Sequence, residues 1–429
     1  MNIGIIGLGY VGLTLAMAAA DAGINVYGVE VSEMIKKSLA KGKAHFYEPG
    51  LDALIRRLQG KTFYVVDKFP QDVTYDAFII TVGTPLRDDS KEPDFNYIRS
   101  ALQGTLADVY DGSQMIILRS TVSVGTTNQV VVPFLKEMCK GDNILVGMCP
   151  ERTIEGNAVH ELKHLPQVIS GNNEQALEVA EKLFRHITPF VIRAESIEEA
   201  ELIKLYCNTY RDMTFAIGNV FCQAAQTFGV DGIKAIEHAN WGYSRSNIAK
   251  PGFVAGPCLE KDAYILIRNM PQCKSRDFIL AARQFNESME DVVVSWVEEK
   301  VGSPDGKVIT LTGMTFKGVP ETSDLRGSSS VYIARKLKAK GYKMRLHDYV
   351  ALPDEMKSLD LGDYFENLSD ACVGTSALLV LNNHKKYGSI LPESFMGGLD
   401  FPILDSWGVC SELNYAEGVD LYTLGNMNI

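Results

Sequence analysis

The chain has 429 residues, 46% of them hydrophobic, which is enough for packed cores in more than one domain. Asp and Glu outnumber Lys and Arg by 53 to 42, a formal net charge of -11 with no long basic run, and this argues against nucleic acid as a partner. The eight cysteines show neither a CxxC pair nor His–Cys metal spacing, and no run reaches 18 uninterrupted apolar residues. No disulfide framework, metal site or membrane span is therefore expected, and a reducing cytoplasm fits best.

From Met1 to Glu30 the residues read strand, glycine turn, helix, strand: MNIGIIG, LGYVGLTLAMAAADAG, INVYGVE. The strand-like start has no charged leader, so an unprocessed chain is expected. Gly7, Gly9 and Gly12 form GxGxxG, in which the first glycine permits the turn, the second lets backbone approach a diphosphate, and the third allows helix to pack on strand. The turn residues Gly7, Gly9, Tyr10, Val11 and Gly12 are thus candidate cofactor contacts, with the diphosphate on the helix N-terminus. Glu30, at the end of the second strand, is placed to accept from an adenosine ribose and to repel a 2′-phosphate, which favours NAD over NADP.

Further strands are predicted at Phe63–Val66, Ala77–Val82, Met115–Leu118 and Ile144–Met148, at the spacing of a doubly wound sheet. Ligands of such sheets bind beyond the carboxyl ends of the strands, which makes Thr84 in VGTP and Thr121 in RSTVSVGTT candidate contacts. Glu151 and Glu155 of CPERTIEG follow the next strand at the same edge.

The pattern then turns helical. Ser196 and Glu199 make a capping box for a proline-free segment running to Gly229, about 50 Å of helix and more than one small domain can cover. It is expected to pack on a partner subunit. Lys204, Asn208 and Arg211 share one face of it and are expected to be buried and partnered. Next comes PGFVAGPCLEKD, where Gly252, Gly256 and Pro257 hold Cys258 in a loop. A helix starting just after it, with Lys261 close by, favours a thiolate, and Asp262 lies one turn on to orient a water or take a proton. A second helix is predicted near Arg276–Val301. From Lys307 the α/β alternation returns as a second, smaller Rossmann-like sheet without GxGxxG, whose first loop, TFKGVPETSDLRGSS, carries Lys317 and Arg326, cations suited to a diphosphate. The predicted fold is α/β, with two Rossmann-like doubly wound domains (1–193 and 303–429) joined by a long central helical segment (194–302).

Taken in order, GLGYVGL, FYEPGL, VGTP, STVSVGTT, CPERTIEG, IKLYCNTYRD, the Cys258 loop, FKGVPETSDLRGSS and ILDSWGV resemble the nucleotide-sugar 6-dehydrogenases of the UDP-glucose/GDP-mannose dehydrogenase superfamily. The resemblance implies an N-terminal NAD domain, a central segment that makes a homodimer and a C-terminal domain for a UDP-sugar. It also implies two oxidations at sugar C6, with two NAD and one water consumed and a uronic acid formed. On this pattern Cys258 traps the C6 aldehyde, Lys204 and Asn208 hold the sugar oxygen, and Asp262 with Thr121 handles the hydrolytic water. Glu155 matches a carboxylate used in the hydrolytic step, and Glu151 lies in the same motif. Arg245 resembles an arginine that reaches the substrate, and Lys317 and Arg326 resemble ligands of the UDP-sugar, Arg326 from the partner chain. Arg211, Gly252 and Gly256 belong to the same substrate region. Three departures stand out: Gly256-Pro257-Cys258 replaces the family's Gly-Gly-x-Cys, Asn219 is followed by Val220 in place of Glu, and Gly-Val-Pro-Glu follows Lys317 in place of a polar turn. The PER and NTYRD motifs resemble the branch acting on UDP-N-acetylhexosamines. Alternatives are a UDP-glucose 6-dehydrogenase, a one-step β-hydroxyacid dehydrogenase that needs no cysteine, and a nucleotide-sugar sensor without turnover.

Overall fold

The computed structural model describes residues 1–84, 96–139, 141–390, 399–410, 412–413 and 418–427; position 85, the last of VGTP, lies outside them. The chain forms two compact units, Met1–Cys207 with Tyr264–Pro271, and Asn208–Ala263 with Gln272–Ile429.

In the first unit β1 (Asn2–Ile6), β2 (Asn25–Val29), β3 (Phe63–Val66), β4 (Ala77–Ile80), β5 (Met115–Leu118) and β6 (Leu145–Met148) make one sheet, ordered β3-β2-β1-β4-β5-β6, with every neighbouring pair parallel. These strands are continuous apolar runs because helices cover both faces of the sheet. Alternate residues feed opposite cores: Ile3, Ile5, Ala77 and Ile79 on one side, Ile6, Phe78, Ile80 and Leu118 on the other. Being parallel, all six strands deliver their carboxyl ends to one edge. A further parallel pair, β7 (Gln167–Ile169) and β8 (Val191–Arg193), follows.

The second unit repeats the plan. Strands β9 (Val308–Thr312), β10 (Lys343–His347), β11 (Asp363–Tyr364), β12 (Ala377–Val380), β13 (Ile403–Asp405) and β14 (Leu421–Thr423) are ordered β11-β10-β9-β12-β13-β14, again parallel. The expectation of a smaller second sheet is therefore corrected, since both sheets have six strands in the same order. The edge strands β11 and β14 of the second sheet have only two and three residues, too short for a period of two to register in the sequence.

The long helix is Ile197–Thr227, 31 residues and about 46 Å, and it contributes residues to both units. Ser196 caps it as the capping box requires, its Oγ accepting the Glu199 amide at 3.0 Å, while the Glu199 carboxylate takes the amide of Glu195 in place of that of Ser196. Helices Leu259–Ile267 and Lys274–Val301 follow. Among the described residues no helix is long and apolar enough to cross a membrane.

Candidate active site

The glycine turn sits at the carboxyl edge of the first sheet, beside the β1/β4 boundary where the strand order reverses. Gly7 has φ +91°, a conformation that penalises any side chain. A Cβ on Gly12 would lie 1.9 Å from the Gly7 carbonyl oxygen, so the helix Tyr10–Asp21 approaches the strand this closely only through glycine. A Cβ on Gly9, by contrast, meets no protein atom within 4 Å, and no side chain caps the helix. The helix start thus has room at Gly9 and no side-chain cap, as an anion site requires. Glu30 is buried and accepts from the Leu8 amide (2.8 Å) and the Ser32 amide (2.8 Å), which leaves lone pairs for ribose hydroxyls. These residues fit a dinucleotide: glycines for diphosphate approach, helix amides for its charge, Glu30 for a ribose.

The neighbouring loops of this edge are tied together. Thr84 donates its hydroxyl to the Thr121 carbonyl at 2.6 Å. Buried Glu201 of the long helix fastens the STVSVGTT loop by accepting from the amides of Gly125 (2.6 Å) and Thr127 (2.9 Å) and the Thr127 hydroxyl (2.7 Å). Tyr10 donates to Glu48 of FYEPGL at 2.5 Å, and Glu48 also accepts from the Gly156 amide at 2.8 Å, next to Glu155. Burial and then Glu48 hold the Tyr10 phenol in its neutral form. Val11 is half-buried on the same helix. Glu151 is already engaged: it pairs with buried Arg119 and accepts the amides of Arg152 (2.7 Å) and Thr153 (2.8 Å). Burial opposes its charge, but Arg119, the Thr153 amide and Lys204 outweigh it and hold the carboxyl below the usual range. Glu151 therefore braces the edge, and a substrate contact through this carboxylate is not what the geometry favours.

In the second unit the cysteine loop runs into a helix as expected. Cys258 is exposed, and its carbonyl accepts the Asp262 amide at 3.0 Å, so the thiol stands at the first turn of Leu259–Ile267. None of the eight cysteines is in a disulfide. Burial pushes the thiols of Cys149, Cys222 and Cys372 up to about 12, which keeps them inert. Asp262 is fully buried and accepts from Asn208 Nδ2 (2.6 Å) and Lys261 Nζ (2.8 Å). Lys261 thus serves Asp262 directly. Burial works against its charge, but the Asp262 carboxylate outweighs burial and raises its pKa. Lys204 lies buried one helical turn before Asn208, in the first unit. The third member of the predicted stripe, Arg211, is exposed. At i+7 the helix has rotated 20° less than two full turns, and the boundary of burial falls between Asn208 and Arg211.

The loop after β9 comes back to the cysteine. The Gly256 amide donates to the Gly327 carbonyl at 2.8 Å, and a Cβ on Gly256, whose φ is +97°, would lie 2.6 Å from the Phe316 ring. Lys317 stands over that ring, 5.3 Å from its centroid. A Cβ on Gly252 would meet Trp407 of ILDSWGV at 2.5 Å. Both glycines are therefore set by close packing of this unit as well as by any ligand. Arg326 is forked onto Asp324 (2.6–3.0 Å), and Arg245 stacks on Tyr243 at 4.9 Å. Sequence reading passed over Glu48, Arg119 and Arg283. Buried charges of this kind resemble surface residues until their partners are known.

A glycine turn of this build at the switch point of a doubly wound sheet defines an NAD-binding oxidoreductase. The chain belongs to the UDP-glucose/GDP-mannose dehydrogenase family: its NAD binding domain matches residues 1–188, its central domain 198–288 and its UDP binding domain 310–411. The chain is 31% identical over 406 residues to a UDP-N-acetyl-D-mannosamine dehydrogenase of Pyrococcus horikoshii, covering 92% of each chain. To a protein of the same description from Methanocaldococcus jannaschii it is 30% identical over 433 residues, covering 99% and 96%. Among solved structures, the Pyrococcus horikoshii UDP-D-ManNAc dehydrogenase aligns over the whole of both chains with a TM-score of 0.87 at 28% identity. The Staphylococcus aureus UDP-N-acetyl-mannosamine dehydrogenase aligns with a TM-score of 0.85 at 26% identity, covering 99% and 98%.

Proposed function

We propose that the protein oxidises the C6 hydroxymethyl of a UDP-N-acetylhexosamine to a carboxylate in two NAD-dependent steps, with Cys258 as nucleophile. The observation that carries the reading is an exposed thiol at a helix start, with buried Asp262 one turn behind it, held by buried Asn208 and half-buried Lys261. The choice of an N-acetylhexosamine is supported by relatives that act on UDP-N-acetyl-D-mannosamine, and by one described as an NDP-N-acetyl-D-galactosaminuronic acid dehydrogenase.

NAD, held at Gly7, Gly9, Gly12 and Glu30, supplies the hydride acceptor for each oxidation. The first oxidation leaves an aldehyde at C6. The Cys258 thiolate adds to that carbon, and the new alkoxide takes a proton to give a thiohemiacetal. Lys204 and Asn208 hold the oxygen on which negative charge develops. Loss of the remaining C6 hydrogen as hydride, with the hydroxyl proton passing to solvent, turns the thiohemiacetal into a thioester. Water then attacks the thioester carbonyl, the C–S bond breaks, and carboxylate and thiol are released. Asp262 takes the proton of that water, and the family resemblance assigns Thr121 and Glu155 to the same step. Lys317, Arg326 and Arg245 serve the UDP-sugar, and Arg326 exchanges Asp324 for the diphosphate on binding.

The reading assigns NAD to residues 1–193, dimerisation to 194–302 and the UDP-sugar to 303–429. A homodimer is supported by the exposed Tyr210, Ile217, Phe221 and Phe228, which recur on one side of the long helix and just beyond it. A cytoplasmic site of action is consistent with eight cysteines that form no disulfide. The substrate test compares kcat/KM for UDP-N-acetylmannosamine, UDP-N-acetylglucosamine and UDP-glucose. We expect either N-acetylated sugar to exceed UDP-glucose by about 100-fold or more, as a site built around a polar group rejects analogues lacking it. A preference for UDP-glucose would overturn the assignment.

A further inference from the structure

Arg283 lies in the middle of the helix Lys274–Val301 and is almost wholly buried, its side chain 2% exposed. A charge there is costly, and an apolar residue would fill the same space with less desolvation, so its hydrogen bonds require a reason. One is the buried ion pair, in which Nη1 donates to Asp212 Oδ1 of the long helix at 2.7 Å. The others go to backbone. Nη1 donates to the Leu259 carbonyl at 3.1 Å and Nη2 to the Val254 carbonyl at 3.3 Å. These two carbonyls bracket Cys258 in the chain.

The same buried group reaches the start of the loop. Asn286, one turn past Arg283, donates to the Asp212 carbonyl (2.8 Å) and Oδ1 (2.9 Å) and accepts from Asn219 at 3.0 Å. Asn219 takes both polar groups of Gly252, accepting its amide at 2.9 Å and donating to its carbonyl at 3.0 Å. On the opposite flank Trp407 and Phe316 pack against Gly252 and Gly256 too closely for any Cβ. Residues 252–259 are thus fastened by backbone at both ends: Gly252 by Asn219, Val254 and Leu259 by Arg283, with the Gly256 amide on the Gly327 carbonyl as a separate tie between them.

We infer that Arg283 is a positioning residue for Cys258: its planar fork fixes the carbonyls on either side of the nucleophile and so sets where the thiol stands against the C6 carbon. The inference rests on the reading of Cys258 as nucleophile. Lysine keeps the charge but cannot hold both carbonyls and Asp212 in one plane, so Arg283→Lys separates geometry from charge.

The test uses the full-length protein as Arg283→Met, Arg283→Lys and Cys258→Ala. Three quantities are read: kcat, KM for the preferred UDP-sugar, and the rate of iodoacetamide alkylation at the Cys258 peptide over about pH 6–10. Arg283→Met is expected to lose about 100-fold in kcat, the scale of a displacement near 1 Å, with KM within about threefold and an altered alkylation profile. Arg283→Lys is expected to lose about tenfold with the same change of profile. If Arg283→Met does not fold, Arg283→Lys decides alone. Native kcat and a native alkylation profile in folded Arg283→Lys overturn the inference, as does a kcat loss that merely tracks the loss of folded protein. An active Cys258→Ala removes the nucleophile reading itself. An inactive Cys258→Ala beside native Arg283 variants removes only the role of Arg283.

Discussion

The two sheets have one topology, and the loops after their first strands are built in opposite ways. Between β1 and its helix lie only residues 7–9, and the ligand surface is backbone: uncapped helix amides and glycines. Between β9 and the helix Ser329–Ala339 lie residues 313–328, and the surface is side chain: Lys317 on Phe316 and Arg326 on Asp324. The acids ending the second strands sharpen the contrast. Glu30, after β2, accepts from the amides of Leu8 and Ser32. Asp348, after β10, accepts from the corresponding amides of Thr315 (2.9 Å) and Val350 (2.8 Å), and also from the Ala351 amide (2.9 Å) and the Thr315 hydroxyl (3.2 Å). A carboxylate has about four acceptor sites, so Glu30 retains capacity for a ribose and Asp348 does not. What the sheet order provides is an edge; the loop after the first strand decides what that edge binds.

The largest effect that could break this comparison is at Gly12. Gly12→Ala places a methyl against a backbone carbonyl that cannot move aside, and we expect a loss of more than about 3 kcal/mol together with NAD binding, followed by urea unfolding and NAD titration. Native NAD affinity in that variant would contradict the backbone-presentation account.

The next effect is one of pH in the second sheet. Burial lowers His347 to about 4, against an ordinary value near 6.5 in the unfolded chain. The folded state therefore binds fewer protons between those values. The His347 contribution is complete above about pH 6.5 and declines as pH falls towards about 4, by about 3 kcal/mol in all. Urea unfolding of the second unit at several pH values should show this slope, and His347→Gln should flatten it.

Smaller again is the difference between the two acids. Glu30→Gln is expected to weaken NAD binding by about 1.5–3 kcal/mol, the worth of a charged hydrogen bond, and to lower stability less than Asp348→Asn does, since Glu30 serves two amides and Asp348 three amides and a hydroxyl. Asp348→Asn is expected to lower stability by a similar amount and leave NAD affinity unchanged, because its acceptor sites are filled from within. Equal effects of both on NAD would erase the distinction.

Much of this was legible without coordinates. GxGxxG, the acid at position 30, the strands Phe63–Val66 and Met115–Leu118 and the Ser196 cap stand where periodicity and turn chemistry place them. The helix after Cys258 was legible too, since proline and two glycines stop before it and Leu259 to Ile267 carry no breaker. What could not be read depends on distant partners. Gly252 looks like a flexible ligand-loop glycine until Trp407 is found against it, and Glu151 looks like a site carboxylate until Arg119 is found beneath it. Arg283 offers locally only an ordinary i,i+4 ion pair with Glu287 (3.4 Å), because its three hydrogen-bond acceptors lie at 212, 254 and 259.

The central claim is that Cys258 carries a covalent, two-oxidation reaction, and the most direct measurement is the NADH formed per UDP-sugar consumed, with Cys258→Ala beside the native protein. The account predicts two NADH per sugar for the native chain and loss of that stoichiometry in Cys258→Ala, because no thioester can form. One NADH per sugar, or two that survive the substitution, would contradict it.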